Sequence, residues 1–266
     1  MAEKSTRASV QEAKQILAEA ETAMRHAIAS MADGPARGRV IQDRWAVWQM
    51  LGQAKRYFSQ AGQDEFLDRV VFQRKRGGVF VEIGAYDGIT GSNTLFFEAF
   101  RGWSGLLIEA SPTYFERVAE TRDTLCLQLA VAPEPGEVAF LDIKKGYTQM
   151  GGIVDSLGQQ ALAAIEADDR TDAEVIQIEA KPLADILREN ALTRVDYLSI
   201  DIEGGELAVL ERFPFAEFDI HAWSIEVNEE TPRIGELMTA AGYVLAAHIG
   251  VDQIWVQGVD TAEEEG

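Results

Sequence analysis

The feature that most constrains this 266-residue chain is the run VFVEIGAYDG at 79–88, an apolar strand that ends in a glycine turn. Downstream, Glu109 closes a second apolar run, LLIE at 106–109. A strand, a glycine turn at its carboxyl end and an acid ending the next strand make up the nucleotide-binding half of a doubly wound α/β domain. Glycine lets the chain turn tightly and lets a ligand approach the backbone, while the acid accepts hydrogen bonds from ribose hydroxyls. The expected ligand carries an adenosine.

Spacing narrows the choice of ligand. A dinucleotide fingerprint reads G-x-G-x-x-G, and its second glycine admits a pyrophosphate. Here Gly84 and Gly88 bracket the turn, and Tyr86 stands where that second glycine belongs. Glu82 and Asp87 add negative charge, which repels a phosphate and favours a cation. S-adenosylmethionine has a positive sulfonium and no pyrophosphate, so the turn favours it over NAD. Two rivals stay in view: a nicotinamide-dependent oxidoreductase, and a non-catalytic cofactor-binding subunit.

Charge bounds the partners. Lys and Arg number 24 against 44 Asp and Glu, a net charge of −20. Nucleic-acid binding draws on cations that neutralise phosphates, so neither nucleic acid nor an anionic membrane is an expected partner. The hydrophobic fraction of 47% supports a substantial core. Cys126, the only cysteine, lies in the apolar run LCLQL at 125–129 and reads as a structural thiol. Residues 1–15 are polar without an apolar signal region, and no apolar run approaches the roughly 18 residues of a membrane span. A cytoplasmic protein is expected.

Val10, Ala13, Leu17, Ala20, Met24, Ala27 and Met31 recur at spacings of three and four, which predicts an amphipathic helix over 9–31. A glycine- and proline-containing break follows, then a second helical pattern over 39–57. This appendage, 1–57, has three readings: padding on a sheet, a homo-oligomer interface, or a lid. The main domain is expected over 58–258, with an acidic solvated tail at 259–266. Strands are predicted over 79–84, 105–109, 125–131, 196–201, 220–227, 243–248 and 252–257, and helices over 92–101, 112–122, 182–190, 204–212 and 232–241. Only 249–251 separate the last two strands, which forces an antiparallel hairpin. An α/β, mostly parallel seven-stranded sheet ending in such a hairpin, with N-terminal helices, resembles the Class I methyltransferase Rossmann-like fold. Between the third strand and Leu183 lies an excursion, its part near the site at 144–180, with strands predicted at 138–143 and 174–178 and a glycine-containing loop at 144–157. Its Tyr147, Thr148, Gln149 and Met150 are candidate acceptor contacts.

The run YLSIDIEGGE at 197–206 puts Asp201 and Glu203 at a strand's carboxyl end, the edge where open α/β sheets bind ligands. Glu226 and Asn228 end the next strand two residues apart, on one face. Asp201, Glu226 and Asn228 form an oxygen-rich set that either ligates Mg²⁺ or hydrogen-bonds a polyhydroxylated acceptor, and the second needs no metal. The metal is the less favoured reading. His248 ends a predicted strand and is a candidate base.

Ordered along the chain, SQAGQD at 59–64, FVEIGAYDG at 80–88, SNT at 92–94, GWSGLLIEASP at 102–112 and IDIEGGE at 200–206 resemble the signature blocks of FkbM-type S-adenosylmethionine-dependent methyltransferases. The resemblance spans 59–257. It implies O-methylation of a hydroxyl on a sugar, polysaccharide or natural product, a small-molecule or glycan acceptor. Carried over by block, Glu82, Gly84, Asp87 and Asn93 shape the cofactor pocket and Glu109 holds the ribose. Asp201 and Glu203 face the reacting centre, and Gln60 and Asp64 close the pocket from outside the sheet. Three candidates for the base stay open: Asp201, His248 and a metal-bound oxygen.

Overall fold

The computed structural model describes residues 2–228 and 231–258, so the tail expected at 259–266 lies outside the described residues. The helices are α1 (Ala2–Ser30), α2 (Pro35–Met50), α3 (Gln63–Phe66), α4 (Pro112–Thr121), α5 (Gln159–Ala167), α6 (Leu183–Glu189), α7 (Glu206–Arg212) and α8 (Pro232–Ala240). The strands are β1 (Val79–Ile83), β2 (Ser104–Glu109), β3 (Leu125–Gln128), β4 (Ala130–Val131), β5 (Gly136–Lys145), β6 (Gly152–Ile153), β7 (Asp172–Lys181), β8 (Arg194–Ile200), β9 (Asp219–Glu226), β10 (Tyr243–Ile249) and β11 (Asp252–Gln257).

A seven-stranded sheet runs in the order β10-β11-β9-β8-β1-β2-β3, and only β11 is antiparallel to its neighbours. Its central strands are apolar on both faces because helices cover both, as parallel sheets require. Val81, Leu106, Leu198 and Trp223 belong to one core cluster, and Phe80, Leu107, Tyr197 and Ala222 to the other. Local chemistry sets two of the helix starts. Ser111, just ahead of Pro112, accepts from the Tyr114 N–H, and Thr231, just ahead of Pro232, accepts from the Arg233 N–H.

The structure departs from expectation in four places. The third strand, predicted over 125–131, breaks at Leu129: β3 stays in the main sheet while β4 joins a second sheet, ordered β4-β7-β5-β6. The excursion is therefore built around the long β5–β7 antiparallel ladder with α5 attached, and the loop expected at 144–157 contains a 3₁₀ turn and β6. The helix predicted over 92–101 is largely a π-helical turn, Phe97–Arg101, and that predicted over 39–57 stops at Met50 ahead of the left-handed Gly52. Among the described residues no helix is long and apolar enough to cross a membrane.

Helix α1 packs on α2, and α2 packs on β10. The seat is a backbone contact: the Gly250 N–H donates to the Gly38 carbonyl at 3.1 Å, and a β-carbon on Gly38 would lie 2.5 Å from the Gly250 carbonyl oxygen. Gly38→Ala is therefore expected to lower stability by about 1–3 kcal/mol through overpacking, measured by urea unfolding. A variant as stable as the parent would contradict this close seat.

Candidate active site

Strand register assembles the site. Ile83 of β1 pairs with Ile108 of β2 and with Ile200 of β8, Ile200 pairs with Ile225 of β9, and Glu226 pairs with Asp252 of β11. The next residues along these strands therefore form one row across the carboxyl edge: Glu109, Gly84, Asp201, Glu226 and Asp252. Gly84 is the only member of the row without a carboxylate. Its φ is +85°, and a β-carbon there would lie 2.0 Å from the Asp201 carbonyl oxygen, so no larger residue fits. In front of the row opens a cleft of about 960 Å³, counting the part open to solvent, lined by Gln60, Glu82, Gly84, Asn93, Glu109, Asp201 and Glu203 among others.

The loop after β1 is organised by Glu82. Its buried carboxylate accepts from the Asn93 N–H at 2.6 Å, the Thr94 hydroxyl at 2.6 Å and the Ser92 hydroxyl at 3.0 Å. Arg122, fully buried at the end of α4, lies 3.5 Å from the same carboxylate. It also donates to the Gly88 carbonyl and the Ser92 and Thr94 hydroxyls, and pairs with Glu98 at 2.7 Å. With the loop held this way, the Asn93 Nδ2 group donates to Ser199 Oγ, while its Oδ1 is buried with no hydrogen-bond partner. A buried unpaired acceptor on a ligand cleft calls for a donor from the ligand.

Glu109 accepts from the Tyr86 N–H at 2.7 Å and the Ser111 N–H at 2.8 Å. Burial nevertheless pushes its carboxyl up to about 7. Asp201 is held well above the usual carboxylate range, first by burial and then by Glu203 and Asp252, and Glu226 likewise, first by burial and then by Asp201, Glu203 and Asp252. Burial and Glu206 push Glu203 up to about 7. Asp201, Glu203 and Glu226 each offer an oxygen within 4.8 Å of the others. Such a set holds protons or a cation, and the hard oxygen donors suit Mg²⁺ chemically. Asn228 is exposed and only donates to Glu226, at 2.7 Å, so Glu203 and not Asn228 completes the oxygen set.

Several sequence-derived candidates lie elsewhere. His248 does not line the cleft: its Nδ1 lies 2.7 Å from Asp33 Oδ2, against the N-terminal helices. Asp87 spends its carboxylate on the Ile89 and Thr90 N–H groups and the Thr90 hydroxyl, closing its own turn away from the cleft wall. Asp64 is fully buried, bonded to the Phe58 and Ser59 N–H groups and the Ser59 hydroxyl. It contributes by holding the segment from which Gln60 reaches the cleft, and burial pushes its carboxyl up to about 7. Of the excursion candidates, Thr148 and Gln149 line the cleft, while Tyr147 is exposed and Met150 is not on the wall.

Other site residues escaped sequence reasoning. The Tyr86 ring packs on Tyr114, their centroids 4.3 Å apart and their planes tilted by 32°, and its hydroxyl meets Thr148 Oγ1 at 2.7 Å, tying the excursion to the turn after β1. Asp142 of β5 accepts from Ser111 Oγ at 2.6 Å. A lone buried acid between Leu141 and Ile143 was the available signal. Arg122 gave none, because nothing local marks an arginine at a helix end as buried.

A family model described as Methyltransferase FkbM domain matches residues 82–245. The chain belongs to the FkbM methyltransferase family. Its sheet is the Rossmann-like fold of Class I S-adenosylmethionine-dependent methyltransferases, and FkbM membership makes it a methyltransferase by family. Among solved structures, FkbM from Methylobacillus flagellatus is 10% identical, with 90% of this chain and 58% of that one covered and a TM-score of 0.44. A TehB-like SAM-dependent methyltransferase from Corynebacterium glutamicum is 10% identical, covering 84% and 100% with a TM-score of 0.39. A precorrin-6y C5,15-methyltransferase from Geobacter metallireducens is 11% identical, covering 77% and 91% with a TM-score of 0.42. Likenesses of this degree carry no functional weight. No curated protein gave a sequence match.

Two outcomes follow for this FkbM cleft. Arg122→Met leaves Glu82 and Glu98 without their buried cation, so a loss of about 3–5 kcal/mol is expected on urea unfolding, with weakened S-adenosylhomocysteine binding. A variant that kept both properties would show that the arginine does not hold the loop. The second concerns pH. Asp64 and Glu109 are raised to about 7 from ordinary values of 3.8 and 4.5. The stability they contribute is complete below those ordinary values and lost as pH rises through 7. The thermal unfolding midpoint should therefore be higher at pH 6 than at pH 8, and a midpoint that rises over this interval contradicts the assignment.

Proposed function

We propose that the cleft binds S-adenosylmethionine and directs its methyl group to a hydroxyl of a sugar, polysaccharide or natural product. The observation that carries this reading is the row of carboxylates around Gly84, a negative wall interrupted only where a ligand can touch backbone. When bound, the cofactor supplies an electrophilic methyl on a positively charged sulfur. Glu109 holds the ribose, its oxygens oriented by the Tyr86 and Ser111 N–H groups. Asn93 Oδ1 accepts from the ammonium of the methionine part, and the apolar wall at Val131, Phe140 and Ile143 faces the base. A cation in the cleft lowers the pKa of the acids around it and so offsets the repulsion that each ionised carboxylate imposes on the next.

Glu203 takes the proton of the acceptor hydroxyl. Its value of about 7 matches a general base at neutral pH, and Asp201 and Glu226 behind it share charge with it. Gln60, Thr148 and Gln149 rim the cleft with amide and hydroxyl groups suited to a polyhydroxylated acceptor. A nicotinamide reading has no comparable support. Tyr86, at φ +52°, fills the approach that a pyrophosphate needs.

Calorimetric titration with S-adenosylhomocysteine, with NADH, and with both repeated on Glu109→Ala and with Mg²⁺ added tests the cofactor. Micromolar S-adenosylhomocysteine binding lost in the variant is expected; NADH binding in its place would overturn the proposal. A panel of hydroxylated acceptors then tests transfer. Glu203→Gln is expected to lower kcat by about 10²–10⁴ with S-adenosylhomocysteine affinity retained. Cofactor binding without transfer to any acceptor would instead mark a binding subunit.

A further inference from the structure

In a chain of net charge −20, positive charge gathers on the far side of the 58–66 segment from the cleft. A recess of about 1350 Å³ between the N-terminal helices and the main domain is lined by Lys55, Arg56, Arg69, Arg74, Arg76 and Arg101, with Glu65 and Asp68 as its acids. Both acids are committed: Asp68, 1% exposed, is held by Arg101 at 2.6 and 2.8 Å, and Glu65 pairs with Arg69 at 2.8 Å. Among the described residues, Lys55, Arg56, Arg74 and Arg76 make no ion pair, and Arg76 reaches only the Phe100 carbonyl, at 3.4 Å. Four exposed cations without partners in so acidic a protein attract an anion.

A second recess, of about 910 Å³, adjoins the first. Trp45, Trp48, Glu65 and Arg69 stand in the walls of both, so the two meet at that set of side chains. The second is mainly apolar, lined by Ile28, Ile41, Phe66, Val70 and Ile249, and Val70 is 58% exposed. An apolar trough running into a basic one matches a ligand with an apolar chain and an anionic head. The aromatic faces favour this over single-stranded nucleic acid: Arg44 covers Trp48 at 4.4 Å and Arg69 lies over Tyr57 at 5.9 Å, which leaves no free platform for stacked bases.

We propose that the crevice between the N-terminal helices and the main domain binds a single amphiphilic phosphate, its alkyl or isoprenoid chain along Ile41 and Val70 and its head at Arg56, Arg74 and Arg76. The site is separate from the methyl-transfer cleft, since the 58–66 segment stands between them, with Gln60 on the cleft and Gly62 packed on Trp45. The assignment does not depend on the acceptor proposed above.

The test titrates the full chain with n-decyl phosphate below its micelle concentration, following tryptophan fluorescence and calorimetry. Parallel arms use decanol, inorganic phosphate, tripolyphosphate and anionic phospholipid vesicles. Saturable decyl phosphate binding about tenfold or more tighter than decanol or inorganic phosphate is expected, unaffected by saturating S-adenosylhomocysteine. Arg74→Gln with Arg76→Gln should weaken it through the head and Val70→Asp through the chain, each about tenfold, while S-adenosylhomocysteine affinity stays unchanged and reports an intact fold. Equal affinity for decanol would reduce the site to an apolar crevice, and tripolyphosphate binding as tightly would make it a polyanion groove. Binding to vesicles alone would make it a membrane-facing surface. Any of these, competition by S-adenosylhomocysteine, or no saturable signal overturns the proposal.

Discussion

The contact between the end of β1 and the end of β8 sets the geometry of everything around it. At Gly84 the chain passes so close to the Asp201 carbonyl that no side chain has room. Parallel pairing then leaves no freedom: once Ile83 is registered against Ile108 and Ile200, Glu109 and Asp201 must flank the glycine, and the next pairings bring Glu226 and Asp252 into line. Period-two alternation makes this arrangement stiff, because a slip of one residue would turn the carboxylates into the core.

Concentrating acids along one edge has an electrostatic cost that is offset in two ways. Behind the edge, Arg122 supplies a permanent cation to Glu82 and Glu98, in a place where the carboxylates would otherwise be buried unpaired. Along the edge itself no basic side chain intervenes, and burial raises the acids: Glu109 to about 7, Asp201 and Glu226 well above the usual carboxylate range. The unliganded cleft is thus electrically unsatisfied, and a cationic ligand relieves it. The loop with the arginine is rigid, and the edge without one is receptive.

The sheet and its acidic edge were legible in the amino-acid sequence because these strands are apolar runs that end in a glycine or an acid with a definite role, as at Ile83-Gly84, Ile108-Glu109 and Ile200-Asp201. Residues whose roles depend on distant partners were not. His248 looked like an edge residue, but β10 lies at the sheet margin, where Asp33 from the N-terminal segment takes its ring. Asp64 looked like a pocket residue and is a buried hub for backbone donors. The break at Leu129 was hidden because 125–131 alternates and fills like one strand, and only the competing β7 ladder draws Ala130 and Val131 away.

That break has a further consequence. Because β4 and β7 lie side by side, the chain leaves the main sheet at Leu129 and returns after Lys181 through neighbouring points. The intervening residues form a cassette with its own ladder and its own small core around Phe140 and Ile178. It touches the rest of the site at the Tyr86–Thr148 latch, the Ser111–Asp142 bond and the bond from the Tyr114 hydroxyl to the Ile143 carbonyl, and its Ser156 and Gly152 closely approach Gly204 and Glu203. On the function proposed above, differences between acceptors would be met by this module, which leaves and rejoins the main fold at a single doorway.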